Sequence, residues 1–130
     1  MGAPVTDPDA DVTPDVWIGH LAIPADDMRV SYDFYRSLGL RSVHFDADRI
    51  GVLELAGGTH LTLVPRGNDP GVLFTTEFDL MVADLDGTRA AWSHLDPTEI
   101  EAGGVHRWFR FDDPSGNHVT VFDSHVTGAV

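Results

Sequence analysis

The sequence predicts an α+β protein built from two tandem βαβββ modules related by a pseudo-twofold axis, and three observations lead there. A strand-then-helix passage, His20-Leu-Ala-Ile-Pro-Ala-Asp-Asp27-Met28 followed by Ser31, Phe34, Tyr35 and Leu38, recurs 57 positions later. The second copy reads Glu77-Phe-Asp-Leu-Met-Val-Ala-Asp84-Leu85, followed by Thr88, Ala91, Trp92 and Leu95. The ends of the halves match at an offset of 58, Gly58-Thr-His60-Leu-Thr62-Leu-Val64 against Gly116-Asn-His118-Val-Thr120-Val-Phe122. Between these landmarks lie short apolar runs separated by Gly and Asp-Pro turns. A long period that occurs twice marks a duplicated supersecondary unit.

The elements follow in order. Residues 1–15 are rich in Pro and Asp, with little to bury, and read as a disordered tail. A single domain is expected over 16–125, with module one at 16–65 and module two at 74–124. Trp17 to Pro24 reads as the first strand. Asp26 or Asp27 caps a helix of about three turns, whose apolar stripe is Ser31, Phe34, Tyr35 and Leu38 at i, i+3, i+4 and i+7. Gly39 is placed to close it. Strands are expected near 41–46, 50–55 and 60–64, with Gly57-Gly58 at a hairpin turn. Pro65 to Pro70 is the linker. The second copy predicts a strand at 76–82 and a helix at 85–94 capped by Asp84. Strands near 97–101, 105–111 and 118–123 follow, with Asp113-Pro-Ser-Gly116 at the last turn.

Composition limits the partners. The 130 residues carry 8 Lys and Arg against 21 Asp and Glu, a formal charge of −13. That argues against nucleic acid and anionic membrane surfaces, and favours neutral or cationic partners. With no cysteine, disulfides, thiolate metal sites and cysteine nucleophiles are excluded. No apolar run reaches the length of a membrane span, and the N-terminus lacks the features of a signal peptide. Met1-Gly2-Ala-Pro-Val-Thr6 fits the loose myristoylation pattern, but no basic patch supplies a second anchor. The expected location is the cytoplasm.

The stretch His20-x6-Asp27-Met28-x2-Ser31-x2-Phe34-Tyr35-x2-Leu38-Gly39, with Asp113-Pro-Ser-Gly116-Asn near the end, resembles the vicinal oxygen chelate superfamily. This group holds glyoxalase I, extradiol dioxygenases, fosfomycin-resistance enzymes and bleomycin-binding resistance proteins. The resemblance covers about residues 17–124. It implies paired βαβββ modules whose mixed sheets curl around a cavity, usually in a homodimer. It also implies four metal-ligand points on the first and last strands of each module, which here are His20, Thr62, Glu77 and Thr120. Metal-dependent members usually have carboxylates at the last-strand points. A threonine hydroxyl is a poor ligand for a divalent ion, so no cofactor is expected. His60 and His118, two residues earlier on the same sheet face, are the alternative donors for a displaced ion. That step moves the donor by roughly 6–7 Å at about 3.3 Å per residue.

Strand alternation turns His20, Thr62, Glu77, Asp79 and Thr120 toward the cavity, with His60 and His118 at its edge. Their neighbours Leu21, Leu61, Leu63, Phe78, Leu80, Val119 and Val121 pack against the helices. Trp108 and Arg110 share one face of the penultimate strand and join the candidate ligand-binding set. Trp92 and Tyr35 follow the helix stripes into the core. Glu77 and Asp79 side by side in a concave site require a compensating cation, proton or buried base.

Three functions remain open. The first is a metal-free small-molecule binder that sequesters an antibiotic or other planar natural product, as the bleomycin-resistance branch does. The second is a glyoxalase-type lyase, isomerase or dioxygenase with His20 and Glu77 as proton-transfer groups, or as ligands if a metal is bound. The third is a scaffold with a closed cavity. The acidic balance, the two threonines and the Glu77/Asp79 pair fit the first best.

Overall fold

In each half of the chain the last strand folds back to lie parallel to the first, which closes a four-stranded mixed sheet. The computed structural model describes residues 15–67 and 76–124. Module one comprises β1 (His20–Ala25), α1 (Met28–Ser37), β2 (Arg41–Asp46), β3 (Ile50–Glu54) and β4 (His60–Pro65). Module two comprises β5 (Glu77–Val82), α2 (Leu85–Ala91), β6 (Glu101–Gly103), β7 (His106–Asp112) and β8 (His118–Asp123). The sheet orders are β1-β4-β3-β2 and β5-β8-β7-β6, with the outer pair parallel and the rest antiparallel. The fold is therefore α+β with two tandem βαβββ modules. The expected tail at residues 1–14, the myristoylation pattern and linker residues 68–70 lie outside the described residues. No helix among the described residues is long and apolar enough to cross a membrane.

Local chemistry accounts for the helix ends. The Asp27 carboxylate accepts from the Val30 amide, and the Asp84 carboxylate from the Gly87 amide. Gly39 sits at φ 105°, and the Gly39 and Leu40 amides donate back to Arg36 and Tyr35 carbonyls. This two-bond termination requires a left-handed residue, which glycine adopts without strain. The second helix is shorter than expected. It ends at Ala91 and tightens into a single 3-10 turn at Ser93–Leu95. Pro97 disfavours helical geometry at Asp96, which instead adopts the left-handed conformation at φ 57°.

Two strands also differ from expectation. Residues 17–19 do not join β1, because β4 begins only at His60 and the first rung is the His60 amide to the Gly19 carbonyl. The strand expected near 97–101 is confined to Glu101–Gly103. Pro97 has no N–H to donate. Thr98 still reaches β7, its amide donating to the Arg110 carbonyl and its hydroxyl accepting from the Arg110 amide.

The helix-facing sides of the two sheets share one core. Leu53, Leu61 and Leu63 from the first sheet join Phe109, Phe111, Val119 and Val121 from the second, around Tyr32 and Tyr35 of α1 and Leu85 of α2. The Phe34 ring meets Phe111 at 6.0 Å between centroids, and Tyr35 meets Phe78 at 6.4 Å. Burying each large apolar side chain contributes about 1.5–3 kcal/mol, an upper value for an extended unfolded chain. Because each sheet's apolar face is covered within the chain, a partner is not needed there. What stays open is the polar face of each sheet and its edge strands.

A polar latch runs through this junction. The Asp113 carboxylate is 6% exposed. It accepts from the Tyr35 hydroxyl at 2.7 Å, from Asn117 Nδ2 at 2.8 Å, and from the Ser115 and Asn117 amides at 2.9 Å. Asn117 Nδ2 also donates to the Pro24 carbonyl, and the Ser115 hydroxyl accepts from the Asp26 amide. Burial and then the Asp113 charge push the Tyr35 phenol's pKa upward, so it stays a donor. Tyr35→Phe leaves this buried carboxylate one donor short. It should lower the unfolding free energy by about 1–3 kcal/mol, read as an earlier urea midpoint with unchanged slope.

Candidate functional site

The register of module two arranges its solvent-facing side chains in rows across the sheet. Glu77 pairs with His118, and His118 with Asp112. The next row is Asp79, Thr120 and Arg110. The third is Met81, Phe122, Trp108 and Glu101. Rows lie about 6.6 Å apart, two residues of strand rise. The surface therefore grades from carboxylate and imidazole at one end to aromatic and apolar at the other. Trp108 contacts Phe122 at 5.8 Å between ring centroids, and Met81 is 53% exposed.

A cleft of about 490 Å³ occupies the polar end. Four carboxylates, Glu77, Asp79, Asp96 and Asp112, line it together with Thr98, Thr120, Arg110 and His118. A smaller apolar hollow of about 340 Å³ adjoins it at Asp79, with Met81, His106 and Phe122 on its walls. Its volume is that of a small-molecule site, with carboxylates on one side and apolar side chains on the other.

His118 lines the cleft and is level with Glu77 across the strands. Its Nδ1 is 2.7 Å from Asp112 Oδ1. The hydrogen bond to Asp112, then the Asp112 charge and the more distant Glu77 charge, raise the His118 pKa above its ordinary value. Such an imidazole held by a carboxylate serves as a cation, or as a base when neutral.

Glu101 organises the aromatic end. One of its oxygens, Oε2, accepts from Trp108 Nε1 at 3.1 Å and from Arg110 Nη2 at 2.9 Å. The indole lies across Gly103, where a Cβ would come within 3.0 Å of Trp108 Cη2. Glycine there leaves the floor on which the ring rests.

The module-one candidates form a separate group. His20 and His60 are cross-strand partners with ring centroids 5.2 Å apart, and Thr62 pairs with Ala22. None of the three lines the module-two cleft. Within one chain the candidate residues thus divide into His20, His60 and Thr62 on one sheet and Glu77, Asp79, Trp108, Arg110, His118 and Thr120 on the other.

The metal site implied by the sequence pattern does not fit the residues of one chain. The last-strand points are the hydroxyls of Thr62 and Thr120. Among the described residues, no three His, Asp or Glu side chains converge closely enough to hold an ion.

Asp112, Asp96, Thr98 and Glu101 are missed by reading the sequence for strand alternation alone. Asp112 left a signal: a carboxylate precedes each last-strand histidine by six residues, Glu54 before His60 and Asp112 before His118, again at the offset of 58. Both carboxylates are cross-strand partners of those histidines. Asp96 and Thr98 left none, since tertiary packing of the post-helix loop brings them to the cleft.

Because the folded His118 pKa is raised, the stabilisation from its pair with Asp112 is fully present below the unfolded value of about 6.5. It is lost as pH rises through the higher folded value. Asp112→Asn should return the His118 midpoint toward about 6.5, followed by NMR of the imidazole protons across pH 5–9, a range of about four units around it. An unchanged midpoint would contradict the assigned pair.

A family model described as Glyoxalase/Bleomycin resistance protein/Dioxygenase superfamily matches residues 17–121. No curated protein matches the sequence. Among solved structures, lactoylglutathione lyase from Agrobacterium tumefaciens superimposes with a TM-score of 0.74 at 22% identity, covering 89% of this chain and 99% of that one. The bleomycin-binding protein of Streptomyces verticillus, solved with copper(II)-bleomycin, gives 0.70 at 18% identity, covering 87% and 100%. A bleomycin resistance determinant encoded on transposon Tn5 gives 0.69 at 16% identity, covering 85% and 100%. Likeness at these identities shows the shared fold, and function is argued from the site. With the family match spanning most of its length, the chain belongs to the glyoxalase/bleomycin resistance protein/dioxygenase superfamily.

Proposed function

We propose that this protein is a metal-free small-molecule binder that sequesters a planar organic compound, neutral or cationic, in the manner of the bleomycin-binding members of its family. The observation that carries the reading is the 490 Å³ cleft with four carboxylates on its walls and an aromatic flank. The surrounding charge supports it. Between 76 and 124 there are ten Asp and Glu against three Arg, whereas 16–67 has six against five. Duplicated modules have diverged, and the negative potential is concentrated where the cleft lies. Apolar contact with Trp108, Phe122 and Met81 supplies most of the affinity, and Glu77 and Asp79 select for charge. The protein acts in the cytoplasm without a cofactor.

A second reading, a glyoxalase-type lyase or isomerase, is supported by one observation. His118, held by Asp112 and level with Glu77, has the arrangement of a general base beside a carboxylate. The hydroxyls of Thr62 and Thr120 at the last-strand points and the Glu77/Asp79 pair favour the binder, so that reading comes first.

The working unit is a homodimer. β1 and β5 are edge strands with an open hydrogen-bonding side. Trp17 is 71% exposed beside β1, and Met81 is exposed on β5. Sedimentation at micromolar concentration should give about twice the mass of the 14.2 kDa chain; a monomer at that concentration would exclude this assembly.

Binding is tested with proflavine, a planar cation, against anilinonaphthalene sulfonate, a planar anion. Tryptophan fluorescence should report tighter binding of proflavine, weakened by added salt. Glu77→Gln should weaken it about three- to tenfold without changing the melting temperature. Preference for the anion, or no effect of Glu77→Gln, would remove the charge-selection argument.

A further inference from the structure

Arg110 is the one arginine among the described residues lining the cleft, and four carboxylates share that cleft with it. A guanidinium free to swing toward Glu77, Asp79, Asp96 or Asp112 would neutralise them internally and compete with any cationic ligand. Instead its Nη2 donates to Glu101 Oε2 at 2.9 Å, on the neighbouring strand β6. The same oxygen holds the Trp108 indole at 3.1 Å, and the ring rests on the bare backbone of Gly103. One side chain thus ties up the competing cation and fixes the aromatic platform.

We propose that Glu101 is the specificity-determining residue of this cleft, positioning Arg110 and Trp108 so that the carboxylates remain available to a cationic ligand. Glu101 acts through its two partners, with no contact to the ligand required. The ion pair is exposed, so it adds little to stability. Its consequence is where the positive charge sits. The proposal rests on the reading of the cleft as a site for planar cations, and it deepens that reading by naming what sets the charge preference.

The test reads local charge without a ligand. In a Trp17→Phe background, checked by sedimentation to keep the assembly of the unaltered protein, tryptophan fluorescence is quenched with iodide and separately with caesium. The ratio of the two quenching constants reports the potential near Trp108, and a change in simple exposure cancels in it. Arg110→Gln should lower the iodide-to-caesium ratio about twofold while Glu101 holds the guanidinium beside the indole, and should lower it much less in a Glu101→Gln background, where the guanidinium has swung to the cleft carboxylates. Glu99→Gln removes the same charge from an exposed residue paired with Arg89 instead, and in that background Arg110→Gln should still lower the ratio about twofold.

An equal fall on Arg110→Gln in the unaltered and the Glu101→Gln backgrounds, or a diminished fall in the Glu99→Gln background, overturns the proposal, since Glu101 would then not be what sets the position of Arg110. If the ratios behave as expected while proflavine fails to bind the unaltered protein, the positioning role of Glu101 stands and the binder reading falls.

Discussion

Asp113 carries a carboxylate into the junction between the modules, and the chain is arranged around satisfying it. A buried anion without partners costs several kcal/mol, yet this one collects four donors, two from side chains and two from the backbone of its own turn. The Tyr35 hydroxyl comes from module one, and Asn117 extends the network to the Pro24 carbonyl. Arg66 adds a donor to the Ser115 carbonyl and pairs with Asp26. The Asp-Pro-Ser-Gly turn is therefore both the hairpin that aligns β7 with β8 and the clasp that holds α1 against the second sheet. Apolar burial supplies the gross stabilisation, and this network fixes how the two modules meet.

That junction determines where function can sit. With both helix-facing surfaces consumed by a common core, the only sheet faces left for a ligand are the polar ones. The two polar faces share a framework and differ in content. Each has an imidazole flanked across the strands, His60 by His20 and Glu54, His118 by Glu77 and Asp112. In module one the Glu54 carboxylate is paired with Arg41. In module two Asp112 pairs with the imidazole, and the unpaired surplus is negative. Duplication supplied two equivalent surfaces, and charge divergence made one of them acidic.

The family hosts lyases and binding proteins on one scaffold, as the structural neighbours illustrate. What separates the possibilities in this chain is donor chemistry. Hydroxyls replace carboxylates at the last-strand points, and the parallel register sets histidines level with His20 and Glu77. The resulting surface carries four carboxylates at one end and an aromatic group at the other, and its His118 imidazole is held by Asp112 with its pKa raised.

The sequence by itself determined the duplication, the Asp84 cap, a first cap at Asp26 or Asp27, the order of elements and the apolar face of the first and last strand of each module. These follow from local rules: a side-chain oxygen at a helix start, glycine where φ is positive, and strict alternation along a strand. It also singled out Glu77, Asp79 and Thr120, because alternation assigns a face once a strand is recognised, and named Arg110 as sharing a face with Trp108 on a strand whose register it left open. Only the tertiary structure decided that these residues share a cleft while His20, His60 and Thr62 lie on another sheet, since the relative placement of two modules depends on core packing and the Asp113 network rather than on periodicity. The short β6, the left-handed Asp96 and the capture of Arg110 by Glu101 belong to the same class. Each arises from contacts between segments brought together by folding, and a one-dimensional pattern carries no term for them.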